Sequence, residues 1–150
     1  MSWQNIEVKD QIVKNLDNLN VSHKEDRDCS VIQVTSESKY NFDTIMNIFI
    51  WKTFPNISIK LINKVPTERR LELLEFLNML NRDTMYTAYL EKENLETEVL
   101  KLSLTLNNVN HLPSYTRTSL EFINKLERAM DLLIAGNDPH AVYLVCEFDD

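Results

Sequence analysis

The chain has 150 residues, of which 43% are hydrophobic and 26% charged, a composition typical of a soluble globular protein that forms one domain over 1–150. Its formal net charge of -7 argues against nucleic acid as a partner, because phosphate binding needs clustered lysine and arginine. Gly136 is the only glycine, which excludes the glycine-rich phosphate loops of dinucleotide-binding and Walker-type proteins.

The start of the chain and its cysteines predict a compartment. The sequence begins with MSWQNIEVKD, which lacks the charged-then-apolar order of a secretory signal. No apolar run approaches the length that spans a bilayer, so we expect no membrane partner. Cys29 and Cys146 lie far apart, without metal-type spacing, which fits a reducing compartment. We therefore expect a cytoplasmic protein.

The first half of the chain is predicted to form one helix and three strands. Ser2–Asn18 favours an amphipathic helix, capped by Ser2, with one apolar side of Ile6, Ile12, Val13, Leu16 and Leu19. Val21–Asp28 is polar and predicts a turn or a frayed strand. β-Branched residues, and the alternation of apolar with polar residues, predict strands over Ser30–Thr35, Asn41–Phe54 and Ile57–Ile62.

The second half is predicted to contain two strands between helices. Pro66–Arg82 predicts a helix that buries Leu71, Leu74, Phe76, Leu77 and Leu80. Strands are expected over Met85–Glu91 and Thr97–Leu106, and a long helix over Pro113–Ala135 that Gly136 ends. Pro139–Glu147 favours a short last helix, with a strand as the alternative. The fold class is α+β: an antiparallel sheet of about five strands with flanking helices, in the order α-βββ-α-ββ-α plus a short C-terminal helix.

Particular residues, together with this order, resemble the YbjN family, whose members share the fold of type III secretion chaperones. The resemblance rests on Pro66 followed by Glu68-Arg69-Arg70, on Leu73–Arg82, and on the strand pair that ends at Lys101–Leu106. It covers most of the chain from Ser30 onward. It implies a bacterial chaperone-like or regulatory module that binds protein segments through its sheet and helix surface. It supplies no catalytic residues.

The residues that could carry metal or catalytic chemistry favour structural roles instead. His23, with Asp26 and Asp28, could supply metal ligands, but a solvated charged turn is the favoured interpretation because such ligands need a fixed surrounding shell. Acidic residues follow Cys146, the wrong sign for a reactive thiol. No serine-hydrolase or zinc-protease motif is present. We expect no metal, no cofactor and no enzymatic activity.

The aromatic end of the second predicted strand is the strongest binding candidate. Phe49, Trp51 and Phe54 stand beside other large apolar residues, so the strand is either buried on both faces or exposes a patch to a partner or a second subunit. Few helices are available to cover five strands twice, which favours an interface on one face and a homodimer.

Arg69 and Arg70 form a second partner-binding candidate. They lie early in a helix, where a cation opposes the helix dipole, so they could contact an anion or a partner's carboxylate. They could instead form ordinary ion pairs with Glu72, Glu75 or the acidic turn Glu91–Glu98. We favour these ion pairs over a contact with a partner, because exposed pairs are common and weak.

Two functions from different classes follow. The first is a non-enzymatic protein-binding module, chaperone-like or regulatory, that presents a sheet edge and an apolar sheet/helix surface to a protein segment. The alternative is an acidic immunity-type or inhibitor protein that blocks a basic site on its partner. The alternative requires one continuous exposed patch of carboxylates such as Glu91, Glu93, Glu96 and Glu98.

Overall fold

The computed structural model describes residues 3–26, 30–36, 42–62, 65–95 and 97–148. Within these ranges the chain forms four α-helices and one antiparallel sheet of six strands in the order β1-β2-β3-β4-β6-β5. The helices are α1 (Trp3–Asn18), α2 (Arg70–Asp83), α3 (Leu112–Ile134) and α4 (Pro139–Val145). The strands are β1 (His23–Glu25), β2 (Val31–Ser36), β3 (Thr44–Phe49), β4 (Asn56–Leu61), β5 (Thr87–Lys92) and β6 (Glu98–Thr105).

The α+β class and the antiparallel sheet with flanking helices are confirmed. The sixth strand, β1, comes from the polar segment at 21–28, where hydrogen bonds to β2 replace hydrophobic patterning as the source of order. The C-terminal segment forms a helix, because the Asp138 carboxylate accepts the backbone N–H of Ala141 and caps it. The predicted cap Ser2 and the residue Cys29 lie outside the described ranges.

One face of the sheet forms the core. The strands alternate, so every second side chain points toward the helices and is buried. On β2, β3, β4 and β6 these are Ile32, Val34, Met46, Ile48, Ile57, Ile59, Leu61, Leu102 and Leu104. They join one hydrophobic cluster with residues from all four helices. This face is called the covered face below.

The buried stripe of α2 differs from the predicted one. Leu73, Phe76, Leu77 and Leu80 are buried, whereas Leu71 is 78% exposed. A short 3-10 turn precedes the helix, which begins at Arg70. Leu71 stands two residues before Leu73 and therefore lies about 200° around the axis from it, toward solvent. The prediction that Leu71 is buried was wrong.

Two contacts hold the helices to the ends of the sheet. The Asn5 side chain on α1 donates to the Ile50 carbonyl at 3.1 Å, next to the end of β3. On α3, the buried Glu127 carboxylate accepts the Thr44 hydroxyl at 3.0 Å, at the other end of that strand. Both ends of β3 are thus attached to helices on the covered face, which leaves its opposite face available.

Candidate functional site: the open face of the sheet

The face of the sheet opposite the core is called the open face. Its side chains are half-buried or exposed along the strands, apart from Val99, which is fully buried. Nine of them on the three central strands are Ile45, Asn47, Phe49, Asn56, Ser58, Lys60, Lys101, Ser103 and Thr105. The hydrophobic cluster joins the described helices to the other side of the sheet, so these helices leave the open face uncovered.

A row of uncharged polar side chains crosses the middle of this face. The strand register aligns Gln33, Asn47, Ser58, Ser103 and Thr87 across five strands. The Gln33 amide donates to the Asn47 side-chain oxygen at 3.4 Å. Amides and hydroxyls both donate and accept hydrogen bonds, as the backbone of a bound segment requires.

An aromatic cluster stands at one end of the open face, beside the row. Phe49 is the last residue of β3 and points to the open face, and its ring centroid lies 4.7 Å from that of Trp51. Trp51 is 46% exposed and Phe54 is 61% exposed. The half-buried Phe49 and the exposed Trp51 and Phe54 are together called the aromatic cluster below. Large aromatic side chains of this kind often dominate binding energy at interfaces.

The predicted strand Asn41–Phe54 was too long. The strand ends at Phe49, and the Ile50 N–H donates to the Ser30 carbonyl at 2.7 Å before the chain turns. Phe54 adopts φ 53°, a left-handed conformation that costs a non-glycine residue about 1–3 kcal/mol. Trp51 and Phe54 therefore lie in a turn beyond the strand, and both rings are exposed to solvent.

The other end of the open face carries paired charges. Lys60 contacts Glu93, and Lys101 contacts Glu91. The hydrogen bond that the Lys101 ammonium donates to the Glu91 carboxylate raises the pKa of Lys101. Glu98 pairs with Arg70 at 3.0 Å. Of the four carboxylates that the inhibitor alternative requires, three are thus neutralised by cations, and Glu96 lies outside the described residues.

The two predicted arginines hold parts of the protein together. Arg69 donates to the Leu133 carbonyl at 2.7 Å and to the Asn137 carbonyl at 2.8 Å, so it caps the C-terminal end of α3. The Arg69 guanidinium also lies 3.4 Å from the Glu72 carboxylate, and the Arg70 guanidinium pairs with the Glu98 carboxylate. The pairs with Glu72 and Glu98 are among the ion pairs that the sequence favoured over a contact with a partner.

The five predicted partner-binding residues do not form one site. β4 and β6 pair with Asn56 opposite Thr105, near Phe49, whereas Arg70 binds Glu98 at the other end of β6. The eight residues of β6 separate the two groups by about 24 Å at roughly 3.4 Å per residue. The aromatic cluster borders the open face, and the arginines lie beyond its charged end.

The edges of the sheet offer little room for an added strand. On the outer strand β5, the Asn81 side chain accepts the Ala88 N–H at 2.6 Å and donates to the Ala88 carbonyl at 2.9 Å. Asn81 thus occupies backbone groups that a docking strand would use. The opposite edge, β1, has three residues. The geometry favours the open face over an edge as the docking surface.

The titratable groups of the interior suit structural roles. Burial raises the pKa of the Cys146 thiol, which keeps it protonated and unreactive. Burial also raises the pKa of Tyr86, whose hydroxyl is hydrogen-bonded to Ser119 at 2.6 Å. Among the described residues, no group of three or more His, Cys, Asp and Glu is placed to hold a metal ion.

At His23 and Asp26 the contacts are those of the charged turn that the sequence favoured over a metal site. His23 binds Asp17 at 2.8 Å, and His140 binds Glu75 at 3.0 Å, in separate parts of the molecule. The Asp26 carboxylate accepts backbone N–H groups from Ser30 and Val31 and so shapes a turn. Asp28 lies outside the described residues.

Within the described residues, no helix is both long enough and apolar enough to cross a bilayer.

Sequence reasoning missed the polar row and Asn81. The alternation of apolar and polar residues in β4 and β6 already indicated that Ser58 and Ser103 face away from the apolar residues. Joining them to Gln33 and Asn47 required the register between strands, which a one-residue shift inverts and which the sequence does not specify. The contact of Asn81 with Ala88 depends on how α2 packs beside β5.

Comparison with solved structures identifies a similar fold. The crystal structure of YbjN from E. coli, whose proposed role is transcription regulation, matches with a TM-score of 0.53 and 19% sequence identity. The match covers 84% of this chain and 89% of the other. At this identity the similarity shows a YbjN-like fold alone. No family model and no curated protein matches the sequence.

Proposed function

We propose that this protein is a non-enzymatic binding module, chaperone-like or regulatory, that docks a segment of a partner protein on the open face of its sheet. The observation that carries the proposal is the aromatic cluster at the end of an uncovered, hydrogen-bonding sheet surface. Burying the exposed parts of Trp51 and Phe54 would contribute roughly 2–3 kcal/mol each. The YbjN-like fold supports a binding or regulatory role in a general way.

The three parts of the open face have different roles in this proposal. The aromatic cluster anchors apolar side chains of the segment. The polar row, from Gln33 to Thr87, binds its backbone groups. The paired charges at Lys60 and Lys101 select the orientation, since a mismatched charge would leave one ion pair disrupted.

We also propose a homodimer as the resting state, with the aromatic clusters of two copies covering each other until a partner replaces one of them. Only a small apolar area remains exposed on the open face, so this dimer would be weak and exchangeable. Sedimentation at increasing concentration should show a monomer–dimer equilibrium that Trp51→Ala abolishes. A single monomeric species at all concentrations would contradict the dimer and leave the docking surface to be tested separately.

Capture of partners from the native cell lysate tests the docking surface. Tagged wild-type protein is compared with the double variant Trp51→Ala, Phe54→Ala and with a matched control, Leu95→Ala. Leu95 is 97% exposed in the β5–β6 turn, beyond the charged end of the sheet. We expect one set of proteins to be recovered by the wild type and the control and lost in the double variant. Equal recovery by all three would contradict the proposal.

A further inference from the structure

A second surface of the molecule has the shape of a small-molecule site. A cavity of about 510 Å³ opens between the turn that follows α1 (Leu19–Ser22), Thr35 of β2 and the first half of α3. Pockets of about 300–1,000 Å³ are the usual size for small ligands. Leu19, Val21 and Leu120 supply its apolar lining, and Val21 and Leu120 pack against the core. It does not include the aromatic cluster.

The wall formed by the end of α1 has a defined backbone shape. Asn20 adopts φ 56°, a left-handed conformation that asparagine tolerates better than most residues. The turn is closed by the Val21 N–H, which donates to the Leu16 carbonyl at 3.0 Å. The reversal brings Leu19 and Val21 to the same cavity.

Two opposite charges line the cavity without neutralising each other. Arg117 and Glu121 are one helical turn apart on α3, at a spacing where side chains are about 5–6 Å apart at Cβ. The side chain of neither residue forms a hydrogen bond or an ion pair within the described part of the chain. Arginine before glutamate is the less favourable order for a pair at this spacing, which leaves both groups available.

We propose that this cavity binds a free α-amino acid with a large apolar side chain. The Arg117 guanidinium pairs with the α-carboxylate, a geometry that planar arginine suits. The Glu121 carboxylate accepts the α-ammonium group. The apolar side chain lies against Leu19, Val21 and Leu120. A ligand with one charge would satisfy only one of the two groups, so the pair selects a zwitterion.

This site is independent of the proposed docking function. It lies between the turn after α1, Thr35 of β2 and α3, and none of Phe49, Trp51 and Phe54 lines it. Either proposal can therefore fail while the other stands. If both proposals hold, the bound amino acid would act as a signal in a protein that binds its partner on a separate surface, the open face.

Isothermal titration calorimetry with L-leucine tests the site, with leucinamide and 4-methylpentanoate as analogues that lack the carboxylate and the ammonium group. We expect L-leucine to bind the wild type and both analogues to bind at least about tenfold more weakly. Arg117→Gln and Glu121→Gln should each weaken L-leucine binding by about tenfold or more. Arg128→Gln, an exposed arginine on the same helix outside the cavity, should leave it unchanged.

A second measurement uses the unaltered protein, so that a folding defect in a variant cannot obscure the result. L-leucine should shift the backbone amide signals of Asn20, Ser22 and Asn124 in NMR spectra, because all three line the cavity. No binding of L-leucine or L-phenylalanine at millimolar concentration would overturn the proposal. Equal binding by leucinamide, or by the Arg117→Gln variant, would also overturn it.

Discussion

The two faces of this sheet are built from the same strands and have opposite properties. On β4, Ile57, Ile59 and Leu61 are buried in the core, whereas the intervening Ser58 and Lys60 lie on the open face. Side chains on the covered face are constrained by packing against the helices. Those on the open face have no such constraint, so their amides, hydroxyls and aromatic rings are available for function. Alternate residues of one strand therefore stabilise the core on one face and, in our proposal, bind a partner on the other.

The largest expected effect comes from neighbouring substitutions on β4. Ile59→Ala should lower the free energy of unfolding by about 2–4 kcal/mol, because it leaves a cavity in the core. Ser58→Ala, one residue away on the open face, should change it by less than about 0.5 kcal/mol. Urea unfolding of both variants measures the difference. Similar losses for the two would show that the open face is packed after all.

The second effect concerns the edge of the sheet beside the open face. Asn81→Ala removes both hydrogen bonds to Ala88 and should cost about 1–2 kcal/mol of stability. Exchange of the Ala88 amide hydrogen with solvent should accelerate. Asn78→Ala, at an exposed position on the same helix, is the control. Unchanged exchange at Ala88 would mean that Asn81 does not protect this edge.

The third effect separates stability from binding at the aromatic cluster. Phe54→Asn places a residue that tolerates the left-handed conformation at φ 53°, so stability should rise by about 1 kcal/mol. Recovery of the partner should fall, because the ring is lost. Thr53→Asn is the adjacent control and should change neither. A Phe54→Asn variant that is less stable than the wild type would contradict the strain at this turn.

The smallest effect lies away from both faces, at the C-terminal end of α2. The hydrogen bond from Arg82 holds the pKa of the Asp83 carboxyl below its usual range, and the Tyr143 hydroxyl adds a second bond at 3.1 Å. A lowered pKa means that the folded state favours the carboxylate. Its contribution is therefore present above the unfolded pKa of about 3.9 and is lost as the pH falls through the lower folded value.

Urea unfolding of wild type and Asp83→Asn between about pH 2 and pH 6 measures this contribution. The stability difference between them should be small, as expected for exposed groups, and should shrink toward the acid end of the range. Asp10→Asn, an exposed carboxylate on α1, provides the baseline. A difference that grows as the pH falls would give the wrong sign and contradict the assignment.

Much of the fold could be predicted from local patterns. The alternation of Ile57, Ile59 and Leu61, the stop at Gly136 with φ 103°, and the Asp138 cap each have a local physical cause, and each lies where the sequence placed it. Local patterns left a turn and a frayed strand as alternatives at Val21–Asp28, because the order of β1 comes from pairing with β2 rather than from apolar residues.

The candidate site was less accessible to sequence reasoning. Phe49, Trp51 and Phe54 stood out as large aromatic residues, and the structure places them around one end of the open face. Their setting in a strained turn depends on where β3 ends, which the continuous apolar run from Ile48 to Trp51 concealed. Arg69 was conspicuous for its position, yet its contacts with the end of α3 arise only from tertiary packing.

Photo-crosslinking in the native cell tests the central claim most directly. A photoreactive amino acid is placed on the open face at Asn47 or Thr105, and on the helical side at the exposed Asn78 or Arg128. If partner segments dock on the open face, adducts with another protein will form from Asn47 and Thr105 and will be absent from Asn78 and Arg128. Adducts formed only from the helical positions would contradict the account.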